Sequence, residues 1–162
     1  CRSRGADGLA FVIQNDALTA LGSSGHSLGY GNITNSLAIE FDTFYNPENL
    51  EPYENHISVH TRGWRFPNSA NQTYSLGYTN NIPDVSPTRR ARIRYIPRFD
   101  PDVLENDHVF RPSPHHVTYF FENDDYNWGV AGLGLLQVYL ENLVDPVLVL
   151  PLHLSSTLDL NH

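Results

Sequence analysis

The sequence has no methionine, no lysine and one cysteine, and each absence excludes something. With Cys1 alone, no disulfide can close within the chain. Cys1 is either a free thiol or, in an oxidising compartment, half of a bridge to a segment outside the 162 residues. Without methionine or a charged-then-apolar leader, the sequence is expected to be a mature product or an excised piece. No apolar run approaches the roughly 18 residues that a membrane helix needs. Positive charge is scarce: ten arginines face 18 acids, for a formal charge of −8. Such a balance repels a phosphate backbone and argues against nucleic-acid binding. Sustained helical periodicity is missing as well.

What the chain does contain is short apolar runs punctuated by Gly, Pro, Asn and Asp, the pattern of an all-β protein. Strands are predicted at Leu9–Gln14, Ser36–Phe44, His56–Thr61, Ala91–Tyr95, Leu135–Leu140 and Val147–Leu154. At this length one domain is expected, 1–162, able to bury roughly 70% of its unfolded surface. The spacing suggests two antiparallel sheets in a sandwich. The stretch 97–134 interrupts the series with Pro101, Pro112 and Pro114. It reads as a long insertion, with one further strand possible at His116–Phe121, and as either a surface excursion or a partner-binding element.

The chemistry concentrates between residues 40 and 56. Strand alternation puts Glu40, Asp42 and Phe44 on one face, with Asn46 next in the same rhythm. Two carboxylates side by side repel, and burial worsens the repulsion unless a cation lies between them. Asp42, Asn46, Glu51 and a loop carbonyl make an oxygen-rich set suited to Ca²⁺. Glu40 and His56, with Asp42 and Glu51 bridging, suit a transition ion such as Mn²⁺. The competing reading is a solvated acidic loop beside a core histidine.

This stretch resembles the legume-type (L-type) lectins of the concanavalin A-like family, whose pattern is Glu-x-Asp-x-aromatic-x-Asn, then Asp-Pro, then His. The matching positions are Glu40, Asp42, Phe44, Asn46, Glu51-Pro52 and His56. Gly5-Ala6-Asp7-Gly8-Leu9-Ala10-Phe11 is similar to that family's Ala-Asp-Gly strand, and Leu28-Gly29-Tyr30 to its Gly-rich loop. The resemblance implies a jelly-roll β-sandwich, here a fragment lacking outer strands. It implies non-enzymatic, calcium-dependent glycan binding in a secreted or cell-surface protein, with weak single sites and hence multivalent function. Residue by residue, it implies that Asp7, aimed by a cis Ala6–Asp7 peptide, accepts from sugar hydroxyls. Phe44 stacks on the sugar and lends its carbonyl to Ca²⁺, while Asn46 donates to the sugar and ligates Ca²⁺ through its carbonyl oxygen. A backbone N–H near Gly25 or His26 adds a donor. Metal ligands are implied to be Glu40, Asp42, Phe44, Asn46, Glu51 and His56. The chain departs from the family's pattern at Glu51, where Asp is usual; the extra methylene moves the carboxylate by roughly 1.5 Å. His26 stands where many relatives have Gly.

The remaining features carry less. Asn32-Ile-Thr34 and Asn71-Gln-Thr73 are glycosylation acceptor sequences. His115-His116 is a poor chelating pair, and His60 is expected to be structural. Trp64 and Trp128 are expected to pack beneath loops. Arg90, Arg92 and Arg94 form a solvated face by alternation. Two other functions compete with glycan binding. One is a structural or adhesive module with protein neighbours in an extracellular assembly. The other is a glycoside hydrolase, which needs a second acid where this chain has Phe44 and Tyr45.

Overall fold

A computed structural model describes residues 6–80, 82–83, 90–96, 134–141, 143 and 146–152. Cys1, nearly all of the 97–134 insertion with its possible strand, Trp128 and the His115-His116 pair lie outside the described residues. The chain forms two compact units, one of Cys1–Pro87 with Ser155–His162 and one of Thr88–Leu154.

The first unit holds a four-stranded antiparallel sheet in the order β1 (Gly8–Gln14), β2 (Ser36–Asp42), β3 (His56–Thr61), β4 (Ser75–Thr79). Every residue of the central strand β2 is buried, so both of its faces are covered. One face is aliphatic and aromatic: Leu37, Ile39 and Phe41 of β2 align with Ile57 and Val59 of β3. The other face carries small residues and charge. Ala10 and Val12 of β1 and Ala38 of β2 pack there against Tyr30, Ile33 and Ala70, which arrive from loops laid over the sheet. Small side chains leave room for a covering loop, and the covering loop buries Glu40 and Asp42.

Gly8 opens β1 because nothing larger fits. Its φ is +147°, and a Cβ would stand 2.3 Å from the Phe41 carbonyl oxygen. Gly22 serves the covering loop in the same way: a Cβ would lie 2.6 Å from the carbonyl oxygens of Gly29 and Gly31.

The second unit is a three-stranded antiparallel sheet, β5 (Ala91–Ile96), β6 (Gly134–Leu140) and β7 (Leu148–Leu152). Leu136, Val138 and Leu140 share a buried face with Leu148, Leu150 and Leu152. Each such side chain contributes roughly 1.5–3 kcal/mol on removal from water. Arg90, Arg92 and Arg94 are exposed, as expected, and the Arg92 guanidinium lies 4.2 Å from the Tyr139 ring centroid.

The fold class is therefore all-β, with two antiparallel sheets and no α-helix among the described residues. Three details depart from the sequence reading. β2 stops at Asp42, short of Phe44, because the Asp42 carboxylate accepts the Phe44 N–H at 2.7 Å and turns the chain out of the ladder. β4 was not expected; it is five residues long, with Gly77 at its centre. Trp64 is not beneath a loop but 44% exposed, with the Arg65 guanidinium 4.4 Å from its ring centroid.

Candidate metal and carbohydrate site

Antiparallel register builds the inner half of the site. Asp42 stands opposite His56, and Glu40 opposite Ser58, so Glu40 is flanked diagonally by His56 and His60. All of these side chains are buried. Glu40 Oε1 lies 2.9 Å from His60 Nε2 and 3.3 Å from His56 Nε2, and Glu40 Oε2 accepts the Tyr30 hydroxyl at 2.8 Å. Burial alone would keep the Glu40 carboxyl protonated. Hydrogen bonds from His56 and His60, the His60 charge and the Tyr30 hydroxyl outweigh it and hold Glu40 down at about 2.

The tautomer of His56 follows from its neighbours. Its Nδ1 sits 2.8 Å from the Tyr53 carbonyl oxygen, which can only accept, so Nδ1 carries the proton. Nε2 then faces Glu40 Oε1 at 3.3 Å, with the Gln72 amide nitrogen 3.1 Å away. A bare nitrogen lone pair facing a carboxylate oxygen requires a proton or a cation between them. Burial lowers the basicity of His56, but Glu40 and Asp42 reverse that and raise it.

Asp42 is in the opposite condition to Glu40. Burial, reinforced by the charges of Glu51 and Glu40, pushes it up to about 7, against the Phe44 N–H and the His56 charge.

The outer half is the turn after β2. Asn46 precedes a 3-10 turn, Pro47–Asn49, and Leu50 closes it in the left-handed region at φ +57°. Glu51 folds back over this turn: one carboxylate oxygen accepts the Asn46 backbone N–H, the other the Asn49 side-chain amide at 3.1 Å. Burial raises the Glu51 carboxyl, against these two donors. The Asn46 side chain is 7% exposed, and its Oδ1 is buried without a hydrogen-bond partner.

Among the described residues, no three His, Cys, Asp or Glu side chains form a ready-made cage for an ion. The hydrogen bonds explain this, since Glu40 is turned to Tyr30 and the histidines, and Glu51 to Asn46 and Asn49. The donor set nonetheless suits cations. An orphaned amide oxygen, a buried acid near neutrality and an imidazole lone pair facing a carboxylate are each relieved by positive charge.

The surface above this cluster collects the residues expected to touch sugar. The Ala6–Asp7 peptide is cis. The Asp7 carbonyl oxygen accepts from Thr43 N at 3.0 Å and from Thr43 Oγ1 at 3.2 Å, which seats Asp7 beside the end of β2. A Cβ on Gly25 would lie 3.8 Å from Asp7 Oδ2, so the 3-10 turn Gly25–Ser27 is adjacent to that carboxylate. The His26 carbonyl oxygen accepts the Asn49 amide at 2.9 Å, and Phe44 is 47% exposed. The expected residues thus form two linked groups: Glu40, Asp42 and His56 beneath, and Asp7, Gly25, His26, Phe44, Asn46 and Glu51 above.

Sequence reasoning missed Tyr30 and Asn49, and it gave His60 no role toward Glu40. Strand alternation could have found His60, which shares a face with His56 and Ser58. Tyr30 closes the Leu28-Gly29-Tyr30 block, but nothing in the sequence points its hydroxyl at Glu40, and no sequence signal marks Asn49.

The legume lectin domain matches residues 1–95. That span contains every residue of both groups, and the family is generally carbohydrate-binding and non-enzymatic. By its fold, its acidic strand edge and this match over more than half its length, the chain belongs to the legume lectin domain family.

Proposed function

We propose that this chain is a calcium-dependent glycan-binding module of a secreted or cell-surface protein. Asn46 carries the reading. Its Oδ1 is buried beside acidic side chains with nothing to bond, while it stands in the turn that follows the exposed Phe44. A Ca²⁺ ion held by Asp42, Asn46, Glu51 and the Phe44 carbonyl supplies the missing partner and fixes the Asn46 amide for a sugar oxygen. Glu40, His56 and the two shared carboxylates would hold a transition ion such as Mn²⁺. Asp7 accepts from sugar hydroxyls, Phe44 packs on the apolar face of the ring, and the backbone at Gly25 and His26 donates. Immobilising these groups in advance lowers the entropy lost on binding.

Both sequons are compatible with a glycoprotein. Asn32 Nδ2 donates to Ser23 Oγ at 2.7 Å and Asn71 Nδ2 to the Glu48 carbonyl at 3.5 Å. A glycosylated amide keeps one hydrogen, enough for either bond. Among the described residues no helix is long and apolar enough to cross a membrane.

The test is binding to a glycan array with 1–5 mM Ca²⁺ and Mn²⁺ and again after chelation (roughly millimolar for extracellular modules). Binding is expected to vanish with chelator and return with Ca²⁺. Binding indifferent to chelator removes the metal from the mechanism, and no binding to any glycan removes the lectin function.

A further inference from the structure

The loop from Gly22 to Gly31 is closed by its own backbone. Gly22 N donates to Gly29 O at 3.0 Å, Ser23 N to Gly31 O at 2.8 Å and Gly29 N to Ser23 O at 2.9 Å. This small rigid body presents Gly25 to Asp7 at its tip. Two side chains fasten it to the acidic cluster. Tyr30, fully buried at the loop's base, donates its hydroxyl to Glu40 Oε2 at 2.8 Å. Asn49, 7% exposed, spends one amide hydrogen on the His26 carbonyl at 2.9 Å and the other on Glu51 Oε1 at 3.1 Å.

We infer that Tyr30 and Asn49 are positioning residues that latch the tip loop to Glu40 and Glu51, so that cation binding to these carboxylates sets the loop against Asp7. The inference rests on the metal reading given above and adds to it a route to the loop that does not pass through Asn46. The placement is specific. Tyr30 sits among Ile33, Ala38 and Ala70, where an apolar residue would pack equally well, yet it carries a hydroxyl that ends on a carboxylate expected to bind metal. Asn49 bridges two segments 23 residues apart through a single planar amide, so a shift of Glu51 toward an ion moves the same group that holds His26. Coupling of this kind is reciprocal: what the cation does for the loop, a ligand on the loop does for the cation.

The experiment uses the full chain, with Ca²⁺ and Mn²⁺ alone as probes. Metal affinity is measured calorimetrically, and amide hydrogen exchange is followed at Leu28, Gly29, Tyr30 and Gly31 with and without saturating metal. In the wild type, metal is expected to slow exchange at these amides about tenfold or more. Tyr30→Phe preserves the ring packing, and Asn49→Ala removes only the bridge. Each is expected to bind metal at least about 10-fold more weakly, as for loss of a partner that orients a ligand. In each, the metal-dependent slowing should fall below about threefold even at saturation. Circular dichroism confirms folding, and either single variant suffices if the other does not fold. Metal-dependent slowing of wild-type size in both variants overturns the latch. So does a wild type that binds metal without any change at the loop, and in both cases the lectin reading survives. A wild type that binds neither ion overturns the metal reading and the latch together.

Discussion

Replacing Asp42 by Asn should make the metal-free protein more stable, not less, at mildly alkaline pH. Asn keeps an oxygen for the Phe44 N–H, which Asp42 Oδ1 accepts at 2.7 Å, and removes only the charge. The groups facing Asp42 are Glu40 and Glu51, which repel it, and His56, which attracts it. Burial with the two acids pushes Asp42 from an ordinary 3.8 to about 7. An acid whose folded value is raised binds protons more tightly in the fold than in the unfolded chain. Stability is therefore undiminished below about pH 4, falls as pH rises from about 4 to about 7, and is level in this respect above that. At 1.36 kcal/mol per decade the full penalty is on the order of 4 kcal/mol, and partial solvent screening reduces it to roughly 2–4 kcal/mol. For a chain of this size that is roughly 4–16 °C in melting temperature. Scanning calorimetry in chelator at pH 8 should place the variant above the wild type by such an amount, with the gap narrowing to less than half by about pH 5 and closing near pH 4. Calcium should raise the wild type most at pH 8, where it displaces no proton, and should leave the variant nearly unmoved. A variant equal to or below the wild type in chelator at pH 8, or one that responds fully to Ca²⁺, refutes the claim that unneutralised charge at Asp42 is what the cation relieves.

Other outcomes follow from the same geometry. Glu40→Gln should cost about 3–5 kcal/mol in urea unfolding at pH 7, since it removes the negative charge that the buried His56 and His60 face and leaves one oxygen where two served three donors. Because Glu40 is held at about 2, its stabilisation is present above its ordinary 4.5 and is lost as pH falls toward 2; acid titration of the wild type should show that loss and the variant should not. Asn46→Ala should change metal-free stability by less than about 1 kcal/mol, because the lost oxygen has no partner, yet abolish glycan binding on the array. Gly8→Ala should cost at least about 2 kcal/mol in the same urea assay, since its Cβ would collide with the Phe41 carbonyl at a backbone angle that L-residues avoid.

Much of the fold was legible because strand alternation is local. β1, β3, β5 and β6 begin and end within a residue of where apolar alternation and flanking turn residues put them, and β7 falls within its predicted run. β4 escaped because Ser-Leu-Gly-Tyr-Thr offers only five residues, and its pairing with β3 is interrupted between Val59 and His60. Phe44 was placed in the strand because period two was extended through Asp42, whose own side chain ends the strand. Inside the site, Glu40, Asp42 and His56 are readable from the period and from one register pair, Asp42 opposite His56. Asn46 and Glu51 lie in a turn, where no strand periodicity operates; their oxygen chemistry next to Asp42 suggested them, and the family pattern gave them their roles. The contacts of Tyr30 with Glu40 and of Asn49 with His26 and Glu51 depend on how separate loops are laid over the sheet, which residue spacing does not encode.

The contrast between Glu40 and Asp42 supports the proposal that this edge takes a cation. The two acids sit two residues apart on one strand, face the same way and are equally buried. Glu40 has a hydroxyl and two imidazoles trained on its oxygens and is held at about 2, ionised at any ordinary pH. Asp42 has one backbone N–H, two acidic neighbours and a value near 7. If the strand edge were only a structural ion pair, the fold would be expected to supply both carboxylates with donors, because an uncompensated buried charge is among the most expensive features a core can hold. Instead the donors are concentrated on the inner acid. The outer acid is left with negative charge beside it, and Asn46 in the following turn keeps its oxygen unbonded. Where strand and turn meet, next to the exposed Phe44, the described residues bring acids and an unbonded amide oxygen together, and a divalent ion there would balance the acids and tie the turn to the strand with one set of bonds.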